Sequence, residues 1–92
     1  MKVTIIPSDG FVSIDGIGFR ALDLSFISKD IHAIQWYEKE GEVEVIDLET
    51  GKMVENRKID SLDDFRLALS AWEAANAEAL INTAQPKIAV EE

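Results

Sequence analysis

His32 is the only histidine in the chain, and Ser28 and Asp30 precede it closely. A hydroxyl, an imidazole and a carboxylate are the parts of a nucleophilic relay in which the imidazole takes the hydroxyl proton. On a strand these neighbours cannot converge on one imidazole without a specific loop geometry. No Gly-x-Ser-x-Gly elbow is present either. His32 therefore reads as a structural or surface residue. Glu38, Glu40, Glu42 and Glu44 form a second candidate set, since carboxylates two apart on a strand point the same way and could bind a metal or move a proton. Lys39 interrupts the row and no second histidine joins it, so a solvated face that discourages strand-to-strand aggregation is the simpler reading.

The remaining motifs are weaker. Asp9-Gly10 and Asp15-Gly16 lack the twelve-residue calcium-loop spacing with its closing Glu and read as turns. Gly10, Gly16 and Gly18 do not have phosphate-loop spacing, and no helical pattern follows them. Trp36 and Tyr37 are adjacent, so on a strand they face opposite sides: one fills the core, and Tyr37 is the candidate for contact with a partner. No residue is assigned as catalytic, metal-binding or cofactor-binding, and no cofactor is expected.

Elements that position these residues are legible as runs and turns. Lys2–Ile6 is β-branched and stops at Pro7, Phe11–Ile14 lies between two Asp-Gly pairs, and Gly18–Leu22 supplies a short third strand. Ile31–Tyr37 is the strongest strand signal, with Ile31, Ala33, Gln35 and Tyr37 on one face and His32, Ile34 and Trp36 on the other. A four-residue loop, Glu38–Gly41, leads to a strand over Glu42–Leu48 with Val43 and Val45 on one face. Glu49–Lys52 is a turn, and Met53–Ile59 is the last strand.

At Ser61 the period changes. Ser61-Leu62-Asp63-Asp64 resembles an N-cap followed by acidic first-turn residues. Leu62, Phe65, Leu69, Trp72, Asn76 and Ala79 then recur at helical spacing, until Asn82, Thr83 and Pro86 signal a stop. The fold class is α+β: a small antiparallel sheet of about four to six short strands over residues 2–59, covered by one amphipathic helix over about 61–82. Phe65, Leu69 and Trp72 are the helix's core residues. Residues 1–84 form a single domain, with 85–92 a flexible C-terminal tail.

The 92 residues carry nine Lys+Arg and eighteen Asp+Glu, a formal charge of −9. Residues 1–60 hold −5 of this and residues 61–92 hold −4, so neither half is a basic module. Such a surface repels phosphate backbones and anionic headgroups, which argues against nucleic-acid and membrane partners. The chain has no cysteine, which removes disulfides, thiolate zinc sites and iron–sulfur clusters. Its apolar runs are too short to span a bilayer, and Met1–Pro7 is too quickly interrupted to read as a signal peptide.

One order of motifs goes beyond generic α+β. Asp15-Gly16 leads through Leu22-Asp23-Leu24-Ser25 to Ile31-His32-Ala33-Ile34-Gln35-Trp36-Tyr37, then Gly41-Glu42-Val43-Glu44, then a helix with Ala71-Trp72. This resembles a group of small uncharacterised phage and prophage proteins with an I-H-A-[ILV]-Q-W strand, a short turn, G-x-[VI]-E and a C-terminal A-W helix. The resemblance covers most of residues 10–73. It implies a gene context among tail and tail-fibre proteins and makes His32, Gln35 and Trp36 signature positions, without a catalytic role for any of them.

The functional expectation is a non-enzymatic interaction protein, a tail-region assembly factor or minor structural component. It would work in the bacterial host cytoplasm during assembly, with a place in the virion as the further option. Its partner is another protein: a phage structural protein, a host protein or a second copy. His32, Gln35, Trp36, Tyr37, Glu42 and Glu44 are the candidate interaction residues. One alternative is an acidic inhibitor of a basic host protein. The other is a small hydrolase or metal-dependent enzyme that brings His32 to Asp30, Glu42 or Glu44 in a concave pocket.

Overall fold

The computed structural model describes residues 1–90, with side chains described as far as residue 81. Six strands form one antiparallel sheet: β1 (Lys2–Ile6), β2 (Phe11–Ile14), β3 (Ile17–Phe19), β4 (Ile31–Tyr37), β5 (Glu40–Ile46) and β6 (Met53–Ile59). They lie in the order β3-β2-β1-β4-β5-β6. A 3-10 turn over Asp63–Phe65 then opens the helix α1 (Arg66–Val90), so the α+β architecture holds.

The turns explain most of the topology. Asp15 and Gly16 both have positive φ, 50° and 88°, the backbone that a two-residue hairpin needs to follow the right-handed twist of its strands. The Asp15 carboxylate accepts the Lys2 N–H at 2.8 Å, tying that turn to β1. The third strand is Ile17–Phe19, nearer the turn than the expected Gly18–Leu22. The β4–β5 hairpin is also tighter than expected. Glu38 and Lys39 alone make the turn, with Glu38 at φ 58°, and Gly41 belongs to β5, where it pairs with Trp36. The fifth strand accordingly starts and ends two residues early, at Glu40–Ile46.

Alternation on β4 is broken by a bulge, because His32 and Ala33 together oppose the single residue Glu44. The extra residue places Ile31 opposite Val45 and Ile34 opposite Val43, so Ile31 joins Ile34 and Trp36 on the core side. His32, expected on the same face as Ile34 and Trp36, is exposed. A period of two cannot survive one added residue.

Val3 and Ile5 of β1, Val12 of β2, Ile34 and Trp36 of β4, and Val43 and Val45 of β5 make up the sheet's share of the core. Over them lie Phe65 and Ala68 at the start of the helix, with Leu62, Leu69 and Trp72 half-buried around them. Leu24 and Ile27, from a stretch that reads as irregular, complete the cover. Their loop is held by an Asx turn: the Asp23 carboxylate accepts the Ser25 hydroxyl at 2.7 Å and the Ser25 N–H at 3.1 Å.

Those bonds, the hydroxyl's first, favour the ionised form and lower the Asp23 pKa below the ordinary aspartate value. A depressed pKa contributes stability that is present above the ordinary value and lost as pH falls through the folded one. Removing the donor in Ser25→Ala should raise the Asp23 midpoint in a carboxyl-carbon NMR titration. An unchanged midpoint would remove the hydroxyl as the cause.

At the helix start, the Ser61 hydroxyl accepts the Asp63 N–H at 3.0 Å, and Asp63 and Asp64 place negative charge on the first turn. The helical backbone passes the expected stop at Asn82, Thr83 and Pro86 and reaches Val90. A proline forfeits one backbone bond and crowds one turn, while the alanines, Gln85 and Lys87 around it favour helix. Residues 91–92 of the expected tail lie outside the described residues. No helix among the described residues is long and apolar enough to cross a membrane.

Candidate functional site

The helix and the 20–30 loop cover one face of the sheet, and among the described residues no element covers the other. Register across that open face brings distant residues into two rows. Lys2, Tyr37 and Glu40 form one row, on β1, β4 and β5. Thr4, Gln35, Glu42 and Lys58 form the next, continuing onto β6. Between these rows lies a trough of about 580 Å³, which Ile59 and Asp60 help to line.

Tyr37 is 63% exposed in this trough, whereas Trp36 on the opposite side of the strand is 8% exposed. The division expected for this aromatic pair is therefore present. A side chain with a large apolar ring, a polar tip and little entropy to lose gains much from being covered by a partner. Below it, the Thr4 hydroxyl donates to Gln35 Oε1 at 2.9 Å, fixing the Gln35 amide so that its NH₂ group remains a donor to something else. Lys58 lies directly across from Glu42, an opposite-charge cross-strand pair. The trough mixes both signs within a chain whose total charge is −9.

A second cleft of about 680 Å³ lies between the Pro7–Asp9 turn and the 21–31 loop. Leu22, Leu24, Ile27 and Ile31 line it, and none of the interaction residues expected from sequence reaches it. His32 lines neither cleft. The Asp30 carboxylate accepts the Ser28 hydroxyl at 2.6 Å, and among the described residues no hydrogen bond or ion pair joins His32 to a carboxylate. No three His, Cys, Asp or Glu side chains gather closely enough to hold a metal ion among the described residues. Among the described residues no acceptor meets the buried Trp36 indole N–H.

Of the interaction candidates, Gln35, Trp36, Tyr37 and Glu42 meet at the trough, while His32 and Glu44 sit toward the other end of their strands. Lys2 and Lys58 were not legible as site residues. The two residues are more than fifty positions apart in sequence, and only the register of β1 and β6 against the central hairpin unites them. No protein-family model, no curated protein and no solved structure matches this chain.

Proposed function

We propose that the protein acts by protein–protein contact rather than by chemistry, as a phage- or prophage-type tail-region assembly factor or minor structural component. The observation that carries the binding part of this reading is the exposed Tyr37 in the mixed-charge trough of the open sheet face. An aromatic ring flanked by Lys2 and Glu40, above an amide with free donors, suits a polypeptide surface that presents both charge signs. The tail-region setting rests on the resemblance of the Ile31–Tyr37 strand and its following Gly41-Glu42 to the phage group. The work would take place in the host cytoplasm during assembly.

The test uses the full chain as bait in lysate from phage-infected or induced cells, beside a Tyr37→Ala variant. Because the ring is exposed, the variant should unfold at the parent's temperature to within a few degrees. The expected result is recovery of phage structural proteins by the parent, reduced about tenfold or more by Tyr37→Ala, the loss typical of a central aromatic anchor. No structural protein in the parent's eluate, or equal recovery by the variant, would refute the proposal. The charge of −9 supports a second reading, an acidic inhibitor of a basic host protein. Recovery of such a protein only at low salt would favour it.

A further inference from the structure

β6 is an edge of the sheet, and every side chain from Met53 to Lys58 is exposed. Among the described residues no strand lies beside its outer amides and carbonyls. Glu55 lies across from Val45 and Arg57 across from Val43, so neither has a charged cross-strand partner in its own chain. Among the described residues the one salt bridge is elsewhere, between the Met1 ammonium and Glu38.

Two copies of a strand that pair antiparallel are related by a two-fold axis through one residue position, and residues equidistant from it face each other. An axis at Asn56 sets Glu55 against Arg57 of the second copy, and Arg57 against its Glu55, all on one face. The same axis sets Val54 against Lys58 and Met53 against Ile59. Centring on Glu55, Arg57 or Lys58 sets a charge against itself, which is unfavourable for directly opposed residues. Centring on Val54 sets Glu55 against Met53 and loses the charge pair. Val54 is also the extra residue of a bulge against β5, so the unbroken part of that ladder runs from Glu55 to Ile59 and contains the Glu55–Arg57 segment. The pattern is self-complementary in one register alone.

We propose that β6 is the interface of a homodimer, in which two copies join β6 to β6 about a two-fold axis at Asn56 and merge their six-stranded sheets into one. The axis stands perpendicular to the sheet, so both Tyr37 troughs lie on one side of the dimer and both helices on the other. Two directly opposed Glu–Arg pairs, from residues that make no ion pair among the described residues, set the register.

Sedimentation equilibrium of the full chain over a concentration series tests this. The parent should approach twice 10.2 kDa as concentration rises. Glu55→Arg and Arg57→Glu should each weaken association about tenfold or more, because both pairs turn from attraction to repulsion. The double variant, which restores opposite charges, should return to within about threefold of the parent. Circular dichroism melts confirm that the variants fold, and Tyr37→Ala, on β4 with β5 between it and β6, should dimerise like the parent, so this result is independent of the binding test. A parent that stays at 10.2 kDa to millimolar concentration overturns the proposal, even if an acidic peptide then adds to β6. So does a double variant no better than the single ones.

Discussion

Gly41→Ala is expected to lower the unfolding free energy by about 3 kcal/mol or more, the upper end of what an added methyl costs in a packed site. A Cβ at this position would overlap the Gln35 carbonyl oxygen and stand 3.0 Å from both Cα and Cε3 of Trp36. A flexible side-chain tip could swing away from such an intruder, but the nearest atom here is backbone. β4 carries that backbone between β1 and β5, paired on both sides, so it cannot retreat without breaking a ladder. The Trp36 ring is fixed as well, because it is packed among the buried residues of the core. A domain of this size has a total stability of about 5–10 kcal/mol, so the loss is a large fraction of the whole. Urea unfolding would report it as a lower midpoint at an unchanged slope. A midpoint equal to the parent's would mean that the β4–β5 hairpin adjusts freely at its turn.

The same glycine shows why parts of the fold were readable and parts were not. A Gly four residues after Tyr37 reads naturally as the end of a loop, since glycine serves turns. Its actual use is to let two strands approach beneath an indole, a requirement that appears only when Trp36 and Gly41 are known to be paired. The strands themselves were legible because β-branched runs end at Asp-Gly and Pro signals, and these are local causes. The helix was legible from Leu62, Phe65, Leu69 and Trp72, although Ala68, fully buried between them, gives no signal as a small residue among several alanines. The bulge at His32 was not legible, since an added residue leaves composition unchanged and shifts only the phase. For the trough, Tyr37 and Gln35 could be named from one strand. Their cationic neighbours Lys2 and Lys58 depend on register, a property of pairs of strands.

Trp72→Ala should cost about 3 kcal/mol, near the lower end for deleting a large aromatic side chain because this one is half-buried. The helix meets the sheet mainly at β2 and β3, and β3 is only three residues long. A strand that short holds its place weakly by its own ladder. Trp72 fastens it in two ways: the indole N–H donates to the Ile17 carbonyl at 2.7 Å, and the ring meets Phe19 edge to face with centroids 6.1 Å apart. Trp72→Phe separates the two contributions. It keeps a ring against Phe19 and removes the hydrogen bond, so it should cost only about 1 kcal/mol. Amide exchange sharpens the test, since Trp72→Ala should release the protected amides of β3 and of the helix's first turns while those of β4 and β5 change little. Equal losses in the two variants would mean that the hydrogen bond alone fastens the helix. A loss below about 0.5 kcal/mol in Trp72→Ala, the level of an ordinary surface change, would show that Phe65 and Ala68 hold the helix unaided. The expected loss instead makes the two sheet edges unlike in kind: β3 is strapped to the helix by Trp72, and β6 is left open to pair with another strand.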